Sequence, residues 1–210
     1  NNFACNMAIV NTGTVNKTAG TLTITQALTN QAGGTVTVST GATLTFTSGV
    51  ITQSGTFTVD GTVSLSGGSH TFNTNFSGTG TLNISATSTV TAASGFAPAV
   101  ATVNHNSTLS AGSGTALTIP AGTTWNWAGD FGNFTGITND GTLNITTNSN
   151  HNTGANITNN AGKTINWNDG NLDLTTGQTL TNNGILNLIG SNLNNFACNM
   201  AIVNTGTVNK

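Results

Sequence analysis

The amino-acid sequence predicts an all-β protein, a right-handed parallel β-helix (β-solenoid) with coils of about 21 residues. Three observations predict this fold. A short motif returns along most of the chain at steps of about 21 residues, polar and apolar residues alternate within it, and a glycine precedes most copies. Alternation is typical of a half-buried strand, and the glycine marks the turn before that strand.

The motif reads IVNTGTVNK, ITQSGTFTV, ITNDGTLNI or LTNNGILNL in four of its copies. The residue after the motif threonine is apolar in every copy, so we expect it to point into the core. Two positions later the residue is again apolar, except at Lys17, where we expect either a bulge or a coil open to solvent. The predicted interior ladder consists of Val15, Val36, Phe57, Leu82, Leu143, Ile165 and Leu186.

A unit of this size cannot bury its apolar face alone, but it can do so when stacked on copies of itself. Each unit has room for a second strand, as at 42–46 and 171–174. Asparagine side chains of stacked coils are expected to hydrogen-bond in ladders, as they do in cross-β structures. The spacing of the motif is least regular from Gly67 to Ser113, where we expect coils with longer loops.

The composition fits such stacking. The 210 residues include 44 Thr, 33 Asn, 27 Gly and 15 Ser, whereas charged residues make up only 4%. A charge kept in every coil would lie about 4.8 Å from its copy and would cost about 1 kcal/mol per pair even in water. Binding of nucleic acid requires clustered Lys or Arg, and the sequence has no such cluster. The sequence also has no apolar run long enough to span a membrane.

A second, longer repeat is exact. Residues 194–210 copy residues 1–17, which gives a period of 193 residues, or about nine coils. The sequence therefore predicts one solenoid block at 1–193 and the start of an identical block at 194–210. Nine coils would place Cys5 and Cys198 about 43 Å apart, so we expect no disulfide between them. A buried thiol and a bridge to a neighbouring fibre are the two alternatives.

The sequence favours no catalytic, cofactor or metal site, and we expect the protein not to be an enzyme. The chain has no Glu or Arg, and of its acids only Asp130 and Asp173 are candidates to approach each other across coils. The spacings between the histidines His70, His105 and His151 fit no multiple of the coil period, so we interpret these residues as surface loop residues.

Two binding alternatives remain open. Runs such as TLTIT and TVTV could form a flat Thr array that resembles the ice-binding surfaces of some antifreeze solenoids, although Asn replaces the second Thr in most motif copies. Trp125, Trp127 and Trp167 could form a sugar-stacking platform, but they occupy inward columns and we predict that they belong to the core.

The ITNDGTLNIT and LTNNGILNL style of repeat resembles bacterial surface β-solenoids, namely filamentous-haemagglutinin-type adhesins, autotransporter passengers and giant repeat proteins of the cell surface. The resemblance covers nearly the whole chain and implies export, extension from the cell and multivalent contact. The expected function is a structural segment of an extracellular fibre or adhesin stalk. Its expected partners are further copies of the block, neighbouring fibres and surface glycans; the alternative is a solenoid that binds ice or glycans.

Overall fold

A computed structural model describes residues 3–5 by their backbone and 7–47, 49–92, 94–190 and 201–210 in full. The described residues form strands and turns without a helix, and every strand pairing among them is parallel. The all-β solenoid predicted from the sequence is therefore confirmed.

Twenty-six strands follow one another along the described chain. They are β1 (Phe3–Cys5), β2 (Ile9–Asn11), β3 (Thr14–Lys17), β4 (Gly20–Ile24), β5 (Leu28–Asn30), β6 (Thr35–Val38), β7 (Ala42–Phe46), β8 (Ile51–Gln53), β9 (Thr56–Val59), β10 (Thr62–Phe72), β11 (Thr81–Thr91), β12 (Thr102–His105), β13 (Leu109–Ala111), β14 (Leu117–Ile119), β15 (Thr124–Trp127), β16 (Phe131–Gly132), β17 (Ile137–Asn139), β18 (Thr142–Ile145), β19 (Asn150–Thr153), β20 (Ile157–Asn159), β21 (Thr164–Trp167), β22 (Asn171–Leu174), β23 (Thr179–Asn182), β24 (Ile185–Leu188), β25 (Ala201–Asn204) and β26 (Thr207–Asn209).

Each coil has three faces, which the chain visits in turn. The first face consists of β1, β4, β7, the N-terminal parts of β10 and β11, β12, β15, β18, β21, β24 and β26. The second consists of β2, β5, β8, the C-terminal parts of β10 and β11, β13, β16, β19 and β22. The third consists of β3, β6 and β9, then bridges at Ser77, Ala99 and Phe96, then β14, β17, β20, β23 and β25.

The core is a continuous apolar stack inside the coils. Six of the seven predicted ladder residues are at most 2% exposed, and Val15 at the first coil packs against the core while partly buried. Trp125, Trp127 and Trp167 are buried, as predicted. The second strands predicted at 42–46 and 171–174 are β7 and β22.

The predicted single ladder is in fact two ladders on different faces. Val15, Val36 and Phe57 stack on the third face, whereas Leu82 belongs to the first face. Its partner in the coil below is Val63, not Phe57. On the first face the ladder continues through Val103, Trp125, Leu143, Ile165 and Leu186 to Val208.

The change of face occurs around β10 and β11. Each is an 11-residue strand that runs from the first face onto the second, so part of the predicted loop region after Gly67 is strand. Before this region the repeated motif, a strand, a glycine turn and a second strand, occupies the second and third faces, as in β5–β6. After it the motif occupies the third and first faces, as in β17–β18. Sequence comparison aligns the motifs but does not reveal the face on which each lies.

Candidate functional site

The first face carries an outward asparagine ladder. From the second member onward, each amide Nδ2 donates to the Oδ1 of the asparagine one coil below, at 2.8 to 2.9 Å. The members are Asn83, Asn104, Asn126, Asn144, Asn166, Asn187 and Asn209. Each amide also has a second N–H and further acceptor capacity, so the ladder presents evenly spaced donors and acceptors to solvent.

A threonine column runs beside this asparagine ladder. Register partners connect ten positions from Thr21 to Thr207, and nine of the ten are threonine, with Ile185 as the exception. Paired hydroxyl rows on this face are limited to the N-terminal coils, as at Thr21 and Thr23 or Thr43 and Thr45. The surface is therefore mainly a mixed hydroxyl and amide face, as the motif predicted.

A second kind of amide ladder is buried at the corners that precede the motif glycine. In the C-terminal half, Asn139 donates to Asn159 at 2.8 Å, Asn159 to Asn182 at 2.7 Å and Asn182 to Asn204 at 2.7 Å. In the N-terminal half, Asn11 donates to Asn30 and Asn30 to Gln53. These amides also bond turn carbonyls, as from Asn159 to Ile185 O at 3.1 Å. They satisfy backbone groups inside the corner, so this ladder is structural.

A polar groove of about 440 Å³ opens on the second face across β16, β19 and β22. Asp130, Asn152 and Asp173 line it from three successive coils. Asp130 Oδ1 accepts from the backbone N and the Nδ2 of Asn152, at 3.0 and 2.9 Å. The structure therefore brings the two predicted aspartates to one surface, two strand spacings or about 10 Å apart along the stack.

The groove also contains residues that the sequence analysis missed. Asn133, with φ 59°, lies at its rim, and Asn152 separates the two carboxylates. The spacing from Asp130 to Asn152 to Asp173 was the available signal, because each step equals one coil. Apart from the two aspartates, the groove is lined by neutral residues.

The prediction of surface histidines is wrong. His70, His105 and His151 lie in β10, β12 and β19, and each is at most 1% exposed. They occupy inward positions of the alternating pattern, on two different faces, which explains why their spacing fits no coil period. His105 packs 4.5 Å from the Phe131 ring and His151 packs 5.3 Å from Trp127, measured between ring centroids.

Burial controls the ionisation of these rings. Desolvation lowers the pKa of His70 to about 4 and that of His105 to about 3. For His105 the backbone carbonyls of Ser107 and Asp130 and the Asp130 carboxylate act in the opposite direction, and they raise the pKa less than burial lowers it. Desolvation also lowers the pKa of His151. The three rings are therefore neutral core residues at neutral pH.

Of the two alternatives for Lys17, a bulge is excluded, because β3 pairs with β6 in regular register through Lys17 and Val38. The Lys17 side chain is half-buried at the first coil, and Nζ donates to Ala19 O at 2.6 Å. The Cys198 residue and the Cys5 side chain lie outside the described residues, so the absence of a disulfide stays a prediction.

Among the described residues, no three His, Cys, Asp or Glu side chains come together as a metal-binding group, and no helix has the length and apolarity of a membrane span. No family model, curated protein or solved structure matches the chain.

Proposed function

We propose that the chain is a segment of an extracellular bacterial filament or adhesin stalk built from tandem β-solenoid blocks, without catalysis. The observation that carries the proposal is the behaviour of the copied stretch. Its first occurrence forms the strand–turn–strand pair β2–β3, and its second forms the pair β25–β26. The described part of the copy, 201–210, therefore continues the coil stack on the third and first faces, and we expect a further block to follow it.

The state of the last coil supports this proposal. Leu180 and Leu186 are at most 1% exposed, whereas their partners one coil further, Ile202 and Val208, are 38% and 45% exposed. Uncovered interior positions and unpaired strand edges favour association with further strands. A following coil of the same kind covers both.

Immunoelectron microscopy of intact producing cells, with antibodies raised against the folded block, tests the proposal. We expect antibodies to label extended surface fibres at regular intervals. Labelling confined to the cell interior, or purification of the natural protein as discrete closed monomers, would contradict it.

A ligand-binding solenoid is the second candidate, and the unbroken row of first-face threonines from Thr81 to Thr164 favours it. Glycan-array binding and ice-growth inhibition test this candidate directly. The double variant Thr124→Lys, Thr164→Lys should abolish either activity. The double variant Thr118→Lys, Thr158→Lys, likewise two coils apart but on the third face, is the matched control. Equal loss in both variants would contradict a first-face site.

A further inference from the structure

We infer that each block is rotated by one face, or one third of a coil, relative to the block before it. The C-terminal coil is then the docking surface for a second copy of the block in this rotated orientation. This inference rests on the proposal that blocks occur in tandem, and it adds the geometry of their junction.

The first observation is the position of the copied stretch. Residues 9–11 lie on the second face as β2, and residues 14–17 lie on the third face as β3. In the copy, the corresponding residues lie on the third face as β25 and on the first face as β26. One sequence thus occupies the next face along at its second occurrence.

The second observation is the coil count. Nine successive register steps lead from Thr21 to Thr207 on the first face. Thr207 is the copy of Thr14, so one period runs from Thr14 to Thr207. It consists of the segment from Thr14 to Thr21 followed by these nine coils. That segment carries the chain from the third face to the first. The period is therefore nine coils plus one face, where the sequence alone predicted nine.

The third observation is the continuity of the ladders. The buried amide ladder ends at Asn204, the copy of Asn11, and Asn11 begins the other buried ladder by donating to Asn30. When Asn204 serves as the first Asn11 of the next block, the two ladders become one. The same superposition joins the interior column that ends at Val208 to the column that begins at Val15.

The lysine of the copied stretch fits the same junction. Lys17 Nζ donates to Ala19 O at 2.6 Å, and its copy Lys210 donates to Gly190 O at 3.2 Å. In a rotated junction these two carbonyls lie at the same corner of adjacent coils. The single ammonium then has a backbone acceptor on each side of the junction, which stabilises a charge at an otherwise apolar position.

The consequence is a threefold screw arrangement of surfaces. At about 4.8 Å per coil, one block advances by about 45 Å, and three blocks of nine and one third coils return each surface to its starting direction after about 134 Å. The outward asparagine ladder and the aspartate groove would each point in three directions in succession, so the fibre presents them to partners on all sides.

Crosslinking in a two-block chain, residues 1–193 followed by 1–210, tests the rotation. Its native cysteines are replaced by alanine, and pairs of new cysteines are joined with a bis-maleimide of about 10 Å, the length of two strand spacings. The first pair is Asn187→Cys with Thr37→Cys of the second block. With rotation, both lie in one outward column, two coils apart. The second pair is Asn187→Cys with Thr45→Cys of the second block, which are two coils apart only without rotation.

We expect the first pair to crosslink in high yield and the second to react at least ten-fold less. The Asn166→Cys and Asn209→Cys pair in the single chain, two coils apart on the first face, calibrates the yield. Equal yields for the two test pairs, or a preference for the second, would overturn the inference. Because this assay needs only a recombinant chain, it can succeed when the natural protein forms no surface filament, and it can fail when filaments exist.

Discussion

Replacement of Asn159 by alanine tests whether the buried amides stabilise the solenoid. The side chain is fully buried, and its Nδ2 donates to Asn182 Oδ1 at 2.7 Å and to Ile185 O at 3.1 Å. Its Oδ1 accepts from Asn139 Nδ2 at 2.8 Å. Asn159→Ala leaves these partners without that bond inside the corner, where water does not reach them.

The expected cost follows from the number of groups left without a partner. Each buried polar group that loses its bond costs about 1–3 kcal/mol, so the loss of the bonds to two acceptor oxygens gives roughly 3 kcal/mol or more. The matched control is Asn166→Ala in the outward ladder. Asn166 also bonds the amides above and below, at 2.8 and 2.9 Å, but it is only half-buried and water can replace it. We expect a loss of about 1 kcal/mol or less there.

Guanidinium unfolding followed by tryptophan fluorescence measures both variants, since Trp167 is buried in the adjacent strand. Repeat arrays can unfold in stages, so hydrogen exchange of the amides in β20 and β23 provides a local measure of the same difference. Equal destabilisation by Asn159→Ala and Asn166→Ala would refute the argument, because the two substitutions are chemically identical and differ only in burial.

Three further predictions concern acid, turns and thiols. Burial lowers the pKa of His105 to about 3, so on acidification this imidazole protonates in the unfolded chain, near pH 6.5, before it does in the folded one. The stability that His105 contributes above pH 6.5 should fall by about 1.4 kcal/mol per pH unit below it, in addition to the losses from the buried His70 and His151. His105→Leu should remove only the His105 share from the difference between unfolding midpoints at pH 7 and 5. At Gly184 an added Cβ would meet the carbonyl of the residue one coil below, so Gly184→Ala should cost about 1–3 kcal/mol by thermal unfolding, whereas Gly13→Ala, with open space around it, should be neutral. Mass spectrometry of the alkylated chain should find Cys5 and Cys198 unlinked to each other; a linked peptide would contradict the coil count.

Local pattern predicted the strands but not their face. A strand, a Gly turn and a second strand can occupy any of three equivalent corners, and the alternation of Phe57 is the same as that of Leu82. What separates these two residues is the shorter coil length along the first face from Thr43 to Thr62 and on to Thr81. This shorter step is present in the sequence. The motif does not precede Thr62, however, so the periodicity of the motif does not indicate that Thr62 lies in the same column as Thr43 and Thr81.

The histidine error has a similar origin. His105 follows Thr102 at the position that holds Trp127 and Ile145 in later copies, so the column itself predicted burial. Histidine is polar, which favours an exposed position, whereas the apolar residues of the same column indicate a buried one. The acidic groove was harder to predict, since Asp130 and Asp173 share a surface only once the coil length on the second face is known.

The stacking of thin coils has a mechanical consequence. Under tension along the axis, a coil that detaches from the end of the stack gives up about 4.8 Å of folded length and releases about 21 residues, or about 70 Å of extended chain. The detached coil therefore becomes more than ten-fold longer, while the coils behind it keep their own backbone ladders. A stack of such coils yields to a sudden pull one coil at a time and absorbs work at every step.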